Sequence, residues 1–493
     1  MADIFIGDVA FVVAIGFLAG ILAANFGWSI FIVAVAFIAG GLLAFIALQK
    51  RMLLYAALLS CAAVLLSAYY FYFFVNLRVA AERLPPATGG SFQVMVLEEP
   101  LASEKYLSFP AGLQPPFSGT VTVFAPFGSD VRYGDLLDVA GAILPPRNVG
   151  NLPAIFPKQI SVLSHGNGFW LTEKLLDFKE TIFRKFGEVL SKDNAALLGG
   201  MTLGGTADMG AALKNDMASS ETLYVTSMYG YKIAVIILLI EAIFAGILPR
   251  WIRFCIAAAF IVLFVLMSGG NISAMRGGLM ACIVILAKET GTVFSKRNAL
   301  VLTAAGMAVF DPTVVAQAGF LFSFASVGGM ALLVTPIRNF LHLGRGSGVC
   351  GWKEAVTVSM ASLLPIIPLV SAIYGSFSLT AIFANIMIAP EIPLGMAAGA
   401  ALAVAGFISH YLAFFVAGAA NIVPSYALWV IHFFAAYVIP LPFQFSGFVP
   451  FALYYAGLAL FAYVYRENKQ GHSELCEESF HKYVSADENS SCQ

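Results

Sequence analysis

Residues 379–408 read LTAIFANIMIAPEIPLGMAAGAALAVAGFI, and Glu391 is the one charged residue in this run. An α-helix needs about 20 predominantly apolar residues to cross a bilayer, so a run of this length predicts a membrane span. The whole chain has the same character, with 60% hydrophobic and 11% charged residues over 493 positions. A soluble domain carries about 25% charged residues, so this composition predicts a polytopic α-helical membrane protein.

Similar apolar runs recur along the chain and predict about twelve transmembrane helices. They lie at residues 8–26, 28–48, 53–75, 222–248, 254–267, 275–287, 300–310, 312–334, 355–374, 379–408, 412–438 and 449–465. The first ten residues contain Asp3 and Asp8 and no basic region. We therefore expect the first run to be a retained span and not a cleavable signal peptide.

The basic residues predict the orientation, because short loops rich in lysine and arginine stay in the cytoplasm. They fall in every second loop, as Lys50 and Arg51, Arg250 and Arg253, Lys296 and Arg297, Arg338 and Arg345, and Arg466 with Lys469. This alternation predicts a multi-pass protein with both termini in the cytoplasm. The same parity places the long polar insert, residues 78–170, on the outer side of the membrane. None of the six cysteines lies in the insert, so no disulfide framework is expected.

The insert at residues 78–170 follows a different pattern from the rest of the chain. Polar and apolar residues alternate at 92–97 and 119–124, and apolar runs follow at 135–143 and 159–163, separated by clusters of Gly, Pro and Ser. Short strands with turn signals at this spacing predict a small all-β barrel or sandwich.

Residues 171–194 predict an amphipathic helix. Apolar side chains recur at helical spacing as Leu175, Phe178, Ile182, Phe186 and Val189. We expect the basic residues to lie elsewhere on the helix, and these are Lys174, Lys179, Arg184, Lys185 and Lys192. Such a helix fits the interface of the outer leaflet, and a helix packed on the β domain fits equally well. The remaining segments are three N-terminal spans at 1–77, a transmembrane domain at 195–466 and a tail at 467–493, which we expect to be disordered and cytoplasmic.

Polar residues inside the apolar runs are the candidates for function, since ionisable groups are costly in a bilayer. In the stretch Asn271-Ile272-Ser273-Ala274-Met275-Arg276, the arginine either snorkels to the headgroups or serves a water-filled path. The other polar candidates, which are more often hydrogen-bonding groups between helices than ligand contacts, are Glu241, Asn385, Glu391, Asn421 and His432. Prolines that indicate either a pathway or simple kinks are Pro365, Pro368, Pro390 and Pro393.

The sequence contains no motif of a common metal-dependent or ATP-driven enzyme. It has no His-x-His-x-Asp-His cluster, no Gly-x-x-x-x-Gly-Lys loop and no Gly-x-Ser-x-Gly elbow, and its six histidines show no ligand spacing. We therefore expect no metal site, no cofactor, no enzymatic activity and no ATP motor in this chain.

Several elements, taken in order, resemble signatures of the ComEC family of competence proteins. They are ALLGGMTLG at 196–204, YVTSMYG at 224–230, NISAMR at 271–276, FDP at 310–312, GFLFSF at 319–324, YGSFS at 374–378 and ANIMIAP at 384–390. The family has Ser-Pro-Ser-Ala-x-Arg, Gly-Phe-Gln-Leu-Ser-Phe, Phe-Gly-x-Phe-Ser and Ala-Asn-x-x-x-x-Pro at the corresponding places. Two positions depart from it, since Gly230 stands where the family has histidine and Leu321 where it has glutamine.

The resemblance implies a channel of the inner (plasma) membrane that passes single-stranded DNA into the cytoplasm during natural transformation. It implies that the insert is a periplasmic, OB-like domain and that the DNA pathway includes Ser227, Lys232, Asn271, Ser273, Arg276, Ser323, Asn385 and Pro390. The expected partners are single-stranded DNA, the lipid bilayer, a cytoplasmic motor and other competence proteins, and a homo-oligomer is a further expectation. Many family members continue into a metallo-β-lactamase-like domain that this sequence lacks, so we expect the nuclease to be a separate protein.

Two other functions stay open at this level. A secondary transporter of a small metabolite would use proton coupling at Glu241 or Glu391, and an inverted repeat would support it, although none is evident in the sequence. A membrane transferase acting on a lipid-linked substrate would need an acid and a base facing each other at the outer leaflet.

Overall fold

The protein is described by a computed structural model covering residues 2–27, 29–35, 38–39, 51–85, 90–102, 106–126, 129–144, 152–205, 209–227, 229–244, 247–290, 296–343, 352–375, 377–440, 445 and 447–465. The predicted tail at 467–493 lies outside these residues, as do Lys50, Arg345, Arg466 and Lys469 of the predicted basic loops. The chain divides into two compact units. One consists of Met1–Ala325 with Phe377–Pro442, and the other of Ser326–Ser376 with Phe443–Gln493.

The described chain is mostly helical, which confirms the predicted class. Its α-helices are Ala2–Asn25, Arg51–Ala81, Trp170–Gly187, Lys192–Thr202, Ala211–Ser219, Tyr224–Ser227, Tyr229–Phe244, Arg250–Met267, Ile272–Thr290, Lys296–Phe310, Ala318–Phe340, Trp352–Leu363, Ile367–Tyr374, Thr380–Ile388, Ile392–Ile408, His410–Ala420, Ile422–Ala436 and Phe448–Val464. Short 3₁₀ turns lie at Pro312–Ala316 and Ala389–Glu391.

Several of these helices are long and apolar enough to cross a membrane. Among the described residues they are Tyr55–Val79, Ala318–Phe340 and Thr380–Ile408, which makes 3, or up to 5 if each of two bent helix pairs counts as one span. The pairs are Trp352–Leu363 with Ile367–Ile373, bent by 47°, and His410–Ala420 with Ile422–Ala436, bent by 44°. Shorter apolar helices lie at Ala10–Asn25, Trp251–Met267, Ile272–Ala287, Asn298–Phe310 and Val449–Val464. The count of twelve spans stays a prediction.

The predicted β insert is present as one sheet of short strands. They are β1 (Gly90–Val96), β2 (Leu101–Ala102), β3 (Tyr106–Leu113), β4 (Thr120–Pro126), β5 (Leu136–Gly141), β6 (Ile143–Leu144), β7 (Ala154–Ile155) and β8 (Gln159–Ser164). β1 pairs with β3 and β5, β3 with β4, and β5 with β8, all antiparallel, whereas β4 and β7 are parallel. Because β6, just after β5, pairs with β7, just before β8, the pairings return on themselves and close the sheet into a ring.

The interior of this ring is built by alternation along the strands. On β4, for example, Val121, Val123 and Ala125 are fully buried while Thr122 and Phe124 face outward. Successive side chains of a strand point to opposite faces, so every second residue enters the core. Each fully buried Val, Leu, Ile or Phe contributes about 1.5–3 kcal/mol relative to exposure, which stabilises a domain of this small size.

The helix Trp170–Gly187 follows the β insert and buries one face against other helices. That face consists of Thr172, Lys179, Ile182 and Phe186. The sequence-based assignment of Lys179 to a face away from the apolar residues is wrong. Position 179 comes four residues after Leu175 and three before Ile182, so its side chain shares their face and the residue is only 3% exposed. The location of the helix at the outer leaflet stays a prediction.

The turn between Ile392–Ile408 and His410–Ala420 lies against the same helix. Phe407 stacks on Phe178 with ring centroids 5.8 Å apart, and the Lys185 ammonium donates to the Gly406 carbonyl at 2.7 Å. The tip of this helical hairpin therefore lies beside the helix that leads out of the β insert.

In the second unit, prolines interrupt the helical backbone near residue 365. Tyrosine side chains of another helix bond to the backbone carbonyls at this break. Pro368 has no N–H, so the Leu364 carbonyl four residues earlier loses its helical partner. The Tyr454 hydroxyl donates to that carbonyl at 2.8 Å, and the Tyr455 hydroxyl donates to the Pro365 carbonyl at 2.8 Å. Irregular backbone at this break is thus satisfied by protein groups, as an apolar environment requires.

Candidate functional site

Arg276 lies in the first turns of the helix Ile272–Thr290. Asn271 precedes this helix, and its side-chain oxygen accepts a hydrogen bond from the Ser273 N–H at 2.9 Å. Asparagine is favoured at this position because it satisfies one of the backbone N–H groups that have no partner within the helix. The cap fixes where the helix begins and therefore the direction in which the Arg276 side chain leaves it.

The half-buried Arg276 side chain reaches the helix Ala318–Phe340. Its Nε donates to the Ser323 hydroxyl, and its guanidinium lies 5.9 Å from the centroid of the Phe324 ring. Phe324 packs on Phe320 with centroids 4.2 Å apart, which holds the ring in place. Within the described part of the chain no carboxylate pairs with Arg276, so its positive charge is solvated by neutral groups only. The contact joins two of the sequence elements on which the family resemblance rests.

Lys232 has no charged partner in the described chain. It is 1% exposed, and its ammonium donates to the carbonyls of Gly200 at 2.7 Å and Thr226 at 2.6 Å while lying 4.9 Å from the Tyr229 ring. The charge is therefore held by backbone dipoles and an aromatic face. These bonds tie the helix Lys192–Thr202 to the segment that contains Ser227.

Lys179 forms a buried ion pair that sequence reasoning did not identify. Its ammonium lies 2.5 Å from the Glu99 carboxylate, which belongs to the β insert. The usable signal was the helical spacing of Lys179 with Leu175 and Ile182, which places a lysine on an apolar face. Nothing in the sequence pointed to Glu99 as its partner, because the two residues are far apart along the chain.

Asn385 and Glu391, which flank the position of Pro390, each have a buried oxygen without a partner among the described residues. The Asn385 amide nitrogen donates to the Ala381 carbonyl at 2.6 Å, whereas its Oδ1 is buried and makes no hydrogen bond. The same holds for one carboxylate oxygen of Glu391. Buried polar atoms normally have partners, so these two mark a place where water or a ligand is expected.

The other polar residues of the apolar runs have partners on neighbouring helices. Glu241 pairs with Arg253 at 2.5 Å, Asn421 accepts from Asn194 at 2.6 Å, and His432 lies 3.4 Å from Asp216. These contacts agree with the interpretation of such residues as hydrogen-bonding groups between helices. The ion pair with Arg253 also engages the Glu241 carboxylate, whereas a proton-coupled transporter would need that carboxylate to bind and release a proton.

Glu221 holds the start of the segment 377–380, which contains one of the family-like elements. Its carboxylate accepts a hydrogen bond from the Ser378 N–H at 2.6 Å, and its backbone has a φ of 52°. Burial raises the pKa of Glu221 to about 7, and the hydrogen bond from Ser378 opposes this effect. A charged form is therefore less favourable here than in water.

The structure brings only part of the predicted pathway together. Arg276 contacts Ser323, and Asn271 and Ser273 form the start of the helix that carries Arg276, so these four residues make up the group around that helix start. No hydrogen bond or ion pair in the described chain links this group to Lys232 or Asn385. The described residues contain no group of three or more His, Cys, Asp or Glu side chains that could hold a metal ion.

A mostly helical chain with apolar helices of membrane-spanning length indicates a membrane protein, here one with a β insert between its helices. Residues 201–468, more than half of the chain, match the family model described as competence protein. The chain therefore belongs to the competence protein family, as the resemblance to ComEC proteins predicted, and this membership indicates a role in DNA uptake for transformation. No curated protein and no solved structure matches the chain significantly.

Proposed function

We propose that this protein is a channel of the inner (plasma) membrane that imports single-stranded DNA into the cytoplasm during natural transformation and has no enzymatic activity. The observation that carries the proposal is the hydrogen bond from Arg276 to Ser323, which lies in the region that matches the competence family. In this proposal the chain crosses the membrane several times, and the turn 409–411 lies on the same side as the β insert. Both termini are cytoplasmic, and the β insert is periplasmic.

The chemistry of Arg276 suits a passing phosphate. Its Nε is engaged by a hydroxyl, and no carboxylate among the described residues neutralises its charge. A guanidinium offers several N–H donors in a rigid plane, and this geometry matches the oxygens of a phosphate group. An arginine fixed by a serine and an aromatic ring is therefore preorganised to contact the backbone of a strand.

The β insert supports strand binding through an aromatic group on its outer face. Tyr106 of β3, Phe124 of β4 and Phe156 after β7 pack together, and the rings of Phe124 and Phe156 are stacked 4.7 Å apart. Tyr106 and Phe156 are 42% and 44% exposed. The order of strands, with β4 parallel to β7, supports the proposal that the insert is OB-like, a fold whose central strands commonly bind nucleic acid. Stacking of a base on an exposed ring contributes about 1–3 kcal/mol.

Import by this chain requires other proteins. The sequence has no phosphate-binding loop, so the force that moves the strand comes from a cytoplasmic motor. In this proposal a separate nuclease cleaves the second strand.

The function is tested by deleting the gene and following labelled DNA into the cytosol. We expect entry to stop and to return with the complete protein. Tyr106→Ala with Phe156→Ala should weaken binding of single strands to the purified protein by roughly thirtyfold or more, given about 1–3 kcal/mol for each of two stacked bases. The matched control is Leu163→Ala, which removes a half-exposed apolar side chain from β8. Normal DNA entry in the deletion strain would disprove the channel and favour a small-molecule transporter.

A further inference from the structure

Three segments of the first unit meet at a buried, charged junction beneath the β insert. Glu99 comes from the β insert, Lys179 from the helix Trp170–Gly187, and Gly205 from the turn after the helix Lys192–Thr202. The Lys179 ammonium and the Glu99 carboxylate are 2.5 Å apart, and the Glu99 side chain keeps 27% of its surface exposed. The carboxylate is thus the part of the junction that solvent reaches.

The junction brings two lysine side chains near one carboxylate. Lys179 approaches Gly205 of the turn, and Lys232 lies 4.9 Å from the ring of Tyr229, which packs against Gly204 of the same turn. Among the described residues, Glu99 is the one carboxylate within ion-pair distance of either ammonium. A buried charge is costly unless an opposite charge or fixed dipoles compensate it. The Lys179 ammonium therefore keeps an oxygen anion as its partner, and a phosphodiester meets that need as a carboxylate does.

The turn at Gly204 and Gly205 makes room for these groups. Both residues have a positive φ, of 91° and 93°. A Cβ on Gly205 would lie 3.0 Å from the Lys179 Nζ, and a Cβ on Gly204 would lie 2.4 Å from the Tyr229 ring. Only glycine accommodates this backbone and this proximity together, so the close approach of Lys179 is built into the sequence.

We propose that Lys179 is a phosphodiester-binding subsite for the incoming strand, and that Glu99 occupies this subsite until DNA displaces it. The proposal rests on the DNA-import function proposed above. Carboxylate and phosphodiester are both oxygen anions that accept hydrogen bonds from an ammonium, so one can replace the other at Lys179. A strand offers many phosphates and releases counterions on binding, which a single carboxylate does not. Displacement of Glu99 would also release the β insert from the helix Trp170–Gly187.

The test uses the full-length protein in nanodiscs of neutral phosphatidylcholine and a fluorescent mixed-sequence single strand, titrated over a range of salt. Glu99→Gln removes the competing anion, so we expect tighter binding, by about threefold, and a salt slope steeper by about 0.7 for one more phosphate contact. Lys179→Gln should weaken binding, and the double variant Glu99→Gln/Lys179→Gln should show no gain. The control is Lys174→Gln on the same helix, whose side chain is 74% exposed and paired with Asp177.

The possible results distinguish failure of the subsite proposal from failure of the channel proposal. Wild-type protein that binds no single strand would overturn both proposals. Wild-type binding with unchanged affinity in Glu99→Gln would overturn the subsite alone. If Glu99→Gln does not fold, Lys179→Gln carries the test, and an unchanged affinity in that variant would overturn the subsite. Nanodiscs with anionic phosphatidylglycerol form the second arm, and a Glu99→Gln effect on lipid binding without one on DNA binding would assign the subsite to headgroups and overturn it for DNA.

Discussion

Arg276 and Lys179 are both cations held within the protein, yet their partners differ in kind. Lys179 pairs with the Glu99 carboxylate, whereas Arg276 bonds to the Ser323 hydroxyl and lies over the Phe324 ring. A carboxylate neutralises a cation, while a hydroxyl or a ring only solvates it. The junction beneath the β insert is therefore closed to an anion while Glu99 is in place, and the Arg276 group is open to one.

Lys232 lies between Arg276 and Lys179 in character, because the kind of partner and the degree of burial both matter. Its ammonium is held by two backbone carbonyls, so it bonds to neutral groups as Arg276 does, but it is fully enclosed. We infer that Arg276 contacts the substrate, Lys179 is exchangeable, and Lys232 mainly holds helices together. Substitution of Arg276 should therefore mainly lower DNA import, substitution of Lys179 should change DNA affinity, and substitution of Lys232 should lower stability.

The largest effect is expected for Arg276→Lys. Lysine keeps the charge and loses the planar set of donors, and hydrogen bonds to charged groups contribute about 1.5–3 kcal/mol. DNA import should fall about tenfold or more at normal membrane levels of the protein, as measured by entry of labelled DNA. Arg253→Lys is the control, because Arg253 pairs with the Glu241 carboxylate and lysine can replace it. Normal import with Arg276→Lys would leave Arg276 as a snorkelling residue and remove the contrast.

The next effect is a loss of stability in Lys232→Met. Methionine has a similar length but no donor, so two hydrogen bonds of a charged group are lost, at about 1.5–3 kcal/mol each. The Gly200 carbonyl keeps the Gly204 N–H as a partner at 3.0 Å. The thermal unfolding midpoint in detergent should decrease clearly, whereas Lys174→Met on an exposed position should leave it unchanged. If the variant were fully stable and defective in import, Lys232 would belong with Arg276 as a substrate contact.

A smaller effect concerns Glu221, a buried carboxylate with a backbone partner. Burial raises its pKa to about 7, from about 4.5, so the folded state binds the proton more tightly than the unfolded state. The contribution of Glu221 to stability is then present below the unfolded value and is lost as pH rises through 7. Glu221→Gln should unfold at a higher temperature than wild type at pH 8, with little difference at pH 5. An equal gain at both pH values would rule out titration of Glu221 as the cause.

The smallest effect concerns labelling and not activity. It reports the side of the membrane on which the turn 409–411 and the β insert lie. Alternating spans would place the turn 409–411 opposite the β insert, whereas its contacts with the helix Trp170–Gly187 place it beside the insert. We expect Tyr411→Cys, at an 87% exposed position, to react with a membrane-impermeant thiol reagent from the same side as Ser129→Cys. Native Cys255, next to the basic pair Arg250 and Arg253, should not react from that side. Labelling of position 411 from the opposite side would support simple alternation.

The sequence predicted the β insert well where strands alternate clearly. The predicted segments at 92–97, 119–124 and 159–163 lie on β1, β4 and β8. β3 was missed, because Pro110 and Gly112 interrupt its pattern and the small Ala111 supplies part of its buried face. A strand of this composition is recognised only by its pairing with β4, which is not a local property.

The helical part was predictable as a class but not in its contacts. Almost every residue of an apolar helix is compatible with lipid or with protein, so periodicity does not say which face packs. The sequence motifs identified Arg276 and Ser323 as separate candidates. Only the fold shows that the two side chains form a hydrogen bond. Lys179 was misassigned because the basic residues of its helix were grouped by charge and not by angular position, although the spacing was sufficient to place it.

The tyrosine hydroxyls at the break between Trp352–Leu363 and Ile367–Tyr374 have a consequence for motion. A proline kink left to itself is a flexible joint, since the freed carbonyls exchange partners at low cost. Here Tyr454 and Tyr455, at successive positions of one helix, each bond one carbonyl of the joint. Any change of the 47° angle must break both bonds, with several kcal/mol at stake for each group left unsatisfied in a lipid environment. The two tyrosines thus fix the bend, and the helices Trp352–Leu363 and Ile367–Tyr374 are expected to move together as one piece, without flexing at the prolines between them.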